Sequence, residues 1–488
     1  MLSAALVLMV VVPAFGAVVA GALKGDGPRW ALSVGVAALV VLIGIYAALA
    51  APGYRYHAAV GTLPWLDAML DGPVFGVMLD PLAAVMLLVA TVIGLFTVLY
   101  STHYLREKNR EHATGHEGQA RYYFWLLLFL ASMVGVAVSP NFLQLLIFWE
   151  LTTLCSWALI SFYQDERSLR SGFKALLMTQ AGGAFFLVAV LILFVSVGSV
   201  EFTALARLPD GLRLWVFILL MIAAWAKAAQ VPFHTWLPDA MAAPTPISAY
   251  LHAAAMVKAG VYLMARSVSA GWAVPPAGAI ALGVMALATM FIALSYYFVQ
   301  DDLKRLLAYS TIAHLGYVLL GVALGGLGSI IAFRGGVLHI VCHGFSKATL
   351  FFCAGALAYV TGTRSIAALG GLARSMPLTA TAFFVGVLAV AGVPPFACFW
   401  SKFMILAGAI ELRGGIGPVL VVLVLVESLV SFAWMLYVGQ KVFLGPVTRL
   451  AEVHSDPPPA MGAVLLLLVL ACLLAPAIGI PLVEMIGR

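Results

Sequence analysis

The chain has 488 residues, of which 64% are hydrophobic and only 9% charged, with a formal net charge of +6. Ordinary soluble domains carry about 25% charged residues, so this composition excludes a soluble globular protein and leaves a polytopic membrane protein. Apolar runs of about 20 residues without period-two alternation exclude a β-barrel, and in such a chain the positive charge is a topology signal, not a nucleic-acid signal.

Fourteen apolar segments read as membrane-spanning helices: 2–23, 30–50, 80–102, 122–138, 141–163, 172–198, 212–231, 247–267, 277–299, 303–324, 329–361, 377–411, 417–444 and 461–483. The first lacks a basic n-region and is long for a signal peptide, so it reads as span 1. The longest loops, 51–79 and 103–121, are too short for a soluble domain. An all-α polytopic fold is therefore expected. It divides into spans 1–3 with a cytoplasmic loop (1–121), two groups of five spans (122–267 and 268–445), and a last loop and span (446–488). An even number of spans puts both termini on one side. With the termini outside, the inner loops hold fifteen Lys and Arg and the outer segments seven. That bias predicts both termini on the non-cytoplasmic side of a cell (inner) membrane. Asp80 with Pro81 opens span 3 as an interfacial cap, and Asp301, Asp302, Lys304 and Arg305 form a capping and topology group before span 10.

The four remaining basic residues, Lys227, Lys258, Lys347 and Lys402, all fall inside spans. Arginine stays charged, whereas a buried lysine can release its proton. Two of these lysines stand beside proline breaks. Val231-Pro232-Phe233 ends span 7 five residues after Lys227, and Val393-Pro394-Pro395-Phe396 interrupts span 12 seven residues before Lys402. Proline removes a backbone donor, and the carbonyl it frees must find protein or water. Two such breaks, five spans apart and in opposite orientation to the membrane, predict an inverted repeat of spans 4–8 and 9–13 with helices 7 and 12 broken. The alternative is two ordinary proline kinks. His343-Gly344 is a third weak point, in span 11.

A charge at the bilayer centre costs about 3 kcal/mol on insertion scales, so charges in this number must pair or line water. Glu150, in span 5, is the natural partner of Lys227. At about 4 Å and an effective dielectric near 20 their attraction is roughly 4 kcal/mol, enough to switch a lysine between holding and releasing a proton. Within span 11, His339, His343 and Lys347 fall at i, i+4 and i+8, one helix face suited to a proton relay. Zinc, bis-histidine haem and purely structural histidines are the competing readings. His252 lies about 240° round from Lys258 on a straight helix and would reach it only if the helix unwinds near Gly260. Asp239 lies between the prolines of the stretch that follows Lys227, and Glu427, in span 13, has no partner assignable from sequence. The five cysteines form no CxxC pair, which argues against iron–sulfur clusters, zinc sites and a disulfide framework. No metal site, cofactor motif or nucleic-acid partner is expected. Sodium would need converging oxygens, for which Thr152, Thr153, Thr179, Thr245 and freed carbonyls are the candidates.

Five motifs carry a family resemblance: FWELTTLCSWALI (148–160), KAAQVPFHTWLPDAMAAPTPISAYLHAAAMVKAGVYLMAR (227–266), DDLKRLLAYSTIAHLGYV (301–318), HIVCHGFSKATLFFCAG (339–355) and GVPPFACFWSKF (392–403). In order and spacing the chain resembles the antiporter-like membrane subunits of respiratory complex I, group 4 hydrogenases and Mrp-type sodium/proton antiporters, over roughly residues 75–445. The resemblance implies two inverted five-helix repeats and a polar axis along the membrane plane. It implies a Glu150–Lys227 pair, Lys258 as bridging lysine with His252 beside it, a relay of His339, His343 and Lys347, and Lys402 as the terminal lysine. The end of the chain just after span 14 sets aside the distal complex I subunit with its long lateral helix, and the HGFSKATLFF and TTLCSW runs look closer to hydrogenase and complex I subunits than to Mrp ones.

The expected function is proton translocation by a subunit without its own redox cofactor. Its partners are other membrane subunits, whose redox chemistry drives it, and its ion is the proton, with sodium left open. The alternative is an Mrp-type antiporter subunit with no redox partner. A third reading, a subunit that itself binds quinone or haem, predicts absorbance in the purified chain or quinone-protectable labelling.

Overall fold

The computed structural model describes residues 1–61, 74–106, 109–111, 116–271, 273–412, 415–448 and 455–487. Its helices follow the apolar runs. The first seven are α1 (Leu2–Ala22), α2 (Asp26–Ala50), α3 (Pro81–Tyr104), α4 (His116–Val138), α5 (Phe142–Ile160), α6 (Glu166–Val197) and α7 (Asp210–Lys227). After an irregular stretch come α8 (Thr245–Ala253), α9 (Met256–Ser269), α10 (Pro276–Ser295), α11 (Leu303–Gly326) and α12 (Ile330–Thr361). The chain continues with α13 (Pro377–Ala391), α14 (Ala397–Glu411), α15 (Gly417–Gly439) and α16 (Pro459–Glu484). The 51–79 loop adds an antiparallel hairpin of β1 (Tyr56–Gly61) and β2 (Phe75–Leu79), with Tyr56 opposite Leu79. The fold is thus that of a multi-pass helical membrane protein, with one two-stranded ribbon among the described residues.

Among the described residues, twelve helical segments are long and apolar enough to cross a membrane, against the fourteen expected. The two that fall short are the two with proline breaks. Helix α7 stops after 18 residues and carries Asp210, Arg213 and Lys227. Span 12 is divided into α13 and α14, of 15 residues each. Lys108, Arg413, Arg449 and Arg488 of the charge tally, and parts of both long loops, lie outside the described residues.

The predicted loops gather into two sets at opposite ends of the bundle. At one end a 500 Å³ pocket brings together Tyr54 of the hairpin loop, Asp80, Phe202, Arg266 and Ile486. At the other, Arg364 pairs with Glu111 and Asp302, and Asp239 with Lys174 and Arg305.

Local chemistry sets the helix ends. Asp80 caps α3 by accepting from the Ala83 amide at 2.8 Å, Asn141 caps α5 from Gln144 at 2.8 Å, and Asp302 caps α11 from Lys304 and Arg305. Each side chain satisfies amides that have no partner within the helix. The Asp80 and Asp302 caps agree with the sequence reading. Lys304 does not stay in the loop. Its side chain is fully buried and donates to the Ala243 carbonyl at 2.7 Å.

The middle of the bundle is α8–α9, α11 and α12, each with its most apolar stretch completely buried. Helices that are apolar all round are expected there. By contrast α1, α2, α6, α15 and α16 have less than half of that stretch buried. Glycines let the central helices touch. A Cβ at Gly336 would lie 2.8 Å from the Val318 carbonyl of α11, and one at Gly321 would lie 2.7 Å from the Cα of Gly336. The weak point expected at Gly344 is not a break. Helix α12 runs unbroken for 32 residues, and Gly344 serves to admit the Ala253 carbonyl, 3.0 Å from where its Cβ would stand.

Overpacking a tight helix contact costs about 1–3 kcal/mol. Gly336→Leu should therefore lower the thermal unfolding midpoint of the purified protein. Gly35→Leu, on the exposed face of α2 with nothing within 4 Å, should leave the midpoint where it is.

Candidate functional site

The break after α7 places Lys227. Beyond it Ala229 turns into the left-handed region at φ 49, and the Gln230 amide closes back on the Trp225 carbonyl at 2.9 Å. Pro232 has no N–H for the Ala228 carbonyl, which is instead satisfied by Gln230 Nε2 at 3.0 Å. Lys227 is fully buried and donates to the Trp149 carbonyl at 2.8 Å and to Thr153 Oγ1 at 2.5 Å, with its ammonium 4.8 Å from the Trp149 ring centroid.

Glu150 is next to Trp149 in sequence, yet it forms no salt bridge with Lys227 within 4.0 Å. The expected ion pair is open. Successive helical residues point about 100° apart, so when Lys227 takes the Trp149 carbonyl, the neighbouring carboxylate is turned toward α6. There it occupies the space left by Gly183, where any Cβ would overlap Oε1. Its Oε2 is buried without a hydrogen-bond partner.

The break that separates His252 from Lys258 falls at Ala254–Ala255, not at Gly260. Ala254 leaves helical geometry at φ −136 and Ala255 at φ −110, ψ −118. Gly260 remains helical and lets α9 close on α7, since its Cβ would meet the Ala224 carbonyl at 2.6 Å. Unwinding does not bring His252 to Lys258. The imidazole packs on Phe351 at 4.7 Å between centroids, and both its nitrogens are buried without partners.

Lys258 instead meets His343 Nδ1 at 2.8 Å. Beyond His343 lies a residue absent from the sequence-derived candidates, His314 of α11. Its ring stacks 5.2 Å from His343, and its Nδ1 is 3.1 Å from His339 Nε2. His339 Nδ1 in turn meets Ser401 Oγ of α14 at 2.8 Å. His339 and His343 do share a face, with centroids 5.8 Å apart. The third member expected there, Lys347, turns away to the Leu307 carbonyl at 3.3 Å.

The second break completes the array. Pro395 lacks the amide that would have reached the Ala391 carbonyl, and Lys402 takes that acceptor at 2.9 Å together with Ser428 Oγ at 2.7 Å. Its ammonium lies 4.6 Å over the Tyr317 ring. Tyr317 is one turn from His314 and stacks on both His314 and His339, at 5.3 and 5.4 Å. Its hydroxyl donates to Glu427 Oε2 in a short bond. Glu427, unassigned by sequence, is therefore held by Tyr317, and its Oε1 is buried without a partner. One buried array runs from Lys258 through His343, His314, His339 and Tyr317 to Lys402 and Glu427.

Outside it lie Glu150, Lys227, His252 and Lys347, described above, and two further candidates. Asp239 is in the irregular stretch after α7, bridged by Lys174 at 2.8 Å and Arg305 at 3.1 Å. Asp80, besides capping α3, holds both guanidinium nitrogens of the buried Arg266, which also contacts the Tyr262 hydroxyl. Asp80→Ala removes a cap and strands a buried cation, a loss of about 3–5 kcal/mol. It should sharply lower the unfolding midpoint. Asp80→Asn, which keeps the cap and one acceptor, should lower it less.

Residues 139–431 match the family described as NADH:quinone oxidoreductase/Mrp antiporter, and residues 65–123 the one described as NADH-ubiquinone oxidoreductase (complex I), chain 5 N-terminus. A probable K(+)/H(+) antiporter component of Rhizobium meliloti is 37% identical over 501 residues, 98% of this chain and 47% of its own length. NAD(P)H-quinone oxidoreductase chain 5 of a Synechocystis species is 36% identical over 380 residues, 73% of this chain and 53% of that one. The chain spans about half the length of the curated relatives it matches. Among solved structures, the Mrp complex of a Dietzia species superposes with a TM-score of 0.85 at 31% identity, over 100% of this chain and 52% of that one. The archaeal membrane-bound sulfane sulfur reductase does so with 0.83 at 26% identity, over 99% and 96%.

Complex I chain 5 and Mrp antiporter relatives stand side by side among the matches, so the comparisons do not rank these branches. The chain belongs to the membrane-protein family shared by NADH:quinone oxidoreductases and Mrp antiporters.

Proposed function

We propose that the chain is a proton-translocating, antiporter-like subunit of a larger membrane complex. In the principal reading, redox chemistry in partner subunits drives it and this chain holds no cofactor. The observation that carries translocation is the buried array from Lys258 to Lys402 and Glu427, built from groups that both accept and donate protons. Isolated structural polar contacts would not need three stacked imidazoles between two lysines. Closing the Glu150–Lys227 pair would change the field at the first lysine by roughly 4 kcal/mol, and the proton would pass by way of Lys258 and the histidines to Lys402. The two groups of five spans, 122–267 and 268–445, would form the inverted repeat, and the basic loops would face the cytoplasm.

A second reading, an Mrp-type cation/proton antiporter subunit without a redox partner, is supported by the antiporter relatives and by the Mrp complex superposition. Co-purifying chains decide between the two, since dehydrogenase or hydrogenase subunits would accompany the first.

In proteoliposomes of the intact complex, Glu150→Gln and Lys227→Ala should each abolish coupled proton uptake. His314→Leu should reduce it tenfold or more while the complex remains assembled. Normal uptake in all three overturns the reading. Gly183→Ala should act like a mild Glu150 variant, because its methyl group displaces the carboxylate.

A further inference from the structure

Lys402 stands in an oxygen cage that owes nothing to an ion pair. The Ala391 carbonyl is available because Pro395 has no amide, and Ser428 Oγ lies 2.7 Å from the ammonium and 3.2 Å from the same carbonyl. Beside Ser428 in sequence is Glu427, itself fully buried, with one oxygen on Tyr317 and the other without a partner. The Tyr317 ring closes the cage at 4.6 Å from the ammonium. A freed carbonyl, a hydroxyl, a buried carboxylate and an aromatic face suit a bare monovalent cation as well as an ammonium group, since hard cations take oxygen ligands and carbonyls can replace their hydration shell. Ser428 is only half-buried, so the cage is not sealed. The Lys227 environment differs, because its carbonyl belongs to an unbroken helix and is shared with Thr152 and Thr153.

We propose that the Lys402 ammonium occupies an alkali-cation site formed by the Ala391 carbonyl, Ser428 Oγ and the Glu427 carboxylate, and that sodium or potassium competes with the lysine proton for it. When Lys402 gives up its proton, the neutral amine no longer needs these acceptors. One cation enters as one proton leaves, and the charge of the site is unchanged. The exchange rests on the translocation reading above, whereas cation binding does not.

Other titratable groups face Lys402 and share its field. Glu427 and Tyr317 adjoin it on α15 and α11, Cys398 lies one turn away on α14, and His314, His339 and Lys347 act from α11 and α12. The test therefore uses variants that fix the charge at position 402.

Equilibrium binding of radioactive sodium and rubidium is measured on the purified, intact complex across a pH series, and the Glu427→Gln complex gives the background from other subunits. The wild type should bind one cation per chain above that background, with an apparent affinity that rises about tenfold for each unit increase in pH until Lys402 has lost its proton. Ser428→Ala should weaken binding tenfold or more. Lys402→Met should bind with little pH dependence, and Lys402→Arg, permanently charged, should not bind at any pH. Size-exclusion profiles check assembly of each variant. No binding above background in the wild type, or equal affinity in Lys402→Arg, overturns the cation site. Proton uptake by the wild-type preparation is scored separately. If it persists without cation binding, this site fails and translocation stands. If it is absent, translocation fails whatever the binding result.

Discussion

An ammonium group placed inside a helical bundle must be given acceptors by that bundle, and this requirement orders the interior of the molecule. Five buried lysines meet it without an ion pair. Lys227 uses the Trp149 carbonyl, Lys304 that of Ala243, Lys347 that of Leu307, Lys402 that of Ala391, and Lys258 uses the imidazole of His343. Among the described residues none has a carboxylate within 4.0 Å. Neutral acceptors hold an ammonium without fixing a counter-charge. Breaking a buried ion pair costs about 3–5 kcal/mol because one charge is left uncompensated. A lysine on a carbonyl can lose its proton without that cost.

Backbone carbonyls are free for such work only where a helix gives them up or lends a second lone pair, and the prolines decide where. Pro395 frees Ala391 for Lys402. Pro232 frees Ala228, which goes to Gln230 and fixes the turn that presents Lys227. The chain thus gives up helix continuity at two positions and gains polar surface inside an otherwise apolar core. Elsewhere the same core is closed by glycine contacts such as Gly321 on Gly336.

How much of this could be read from the sequence depends on whether the signal is local. The interior lysines, the proline breaks and the shared face of His339 and His343 are local facts, and the structure keeps them. The class of fold follows from apolar run length for the same reason. What was not legible is tertiary. His314 is one histidine in an apolar helix, and nothing in its neighbourhood distinguishes it until α12 stacks two more imidazoles on it. Glu427 acquires a partner only because Tyr317 arrives from a helix about a hundred residues away. The break at Ala254–Ala255 has neither proline nor glycine to announce it, while Gly260, which looked like a weak point, is a packing contact. The Glu150–Lys227 pair was expected from charge complementarity and from the family resemblance. The sequence cannot show that the Trp149 carbonyl competes for the same ammonium, nor that Gly183 offers the carboxylate somewhere else to go.

The Lys227 and Lys402 sites share one arrangement. At each, the ammonium lies on a carbonyl and a hydroxyl, over an aromatic ring, with a carboxylate nearby but off the nitrogen. At Lys227 these are Trp149 O, Thr153, the Trp149 ring and Glu150, and at Lys402 they are Ala391 O, Ser428, the Tyr317 ring and Glu427. In both cases the carboxylate is the sequence neighbour of a residue that holds the ammonium, so helix geometry turns it away while the lysine keeps its neutral acceptors. Under the translocation reading this is a device for coupling. Each pair has an open state, held by carbonyl and hydroxyl, and a closed state favoured by roughly 4 kcal/mol of Coulomb attraction less the bonds surrendered. Bonds to a charged group contribute about 1.5–3 kcal/mol apiece, so two of them nearly balance the attraction. A switch so balanced responds to a modest change in the neighbouring field, which is what a pump driven by its partner chains requires and what a permanent salt bridge would prevent.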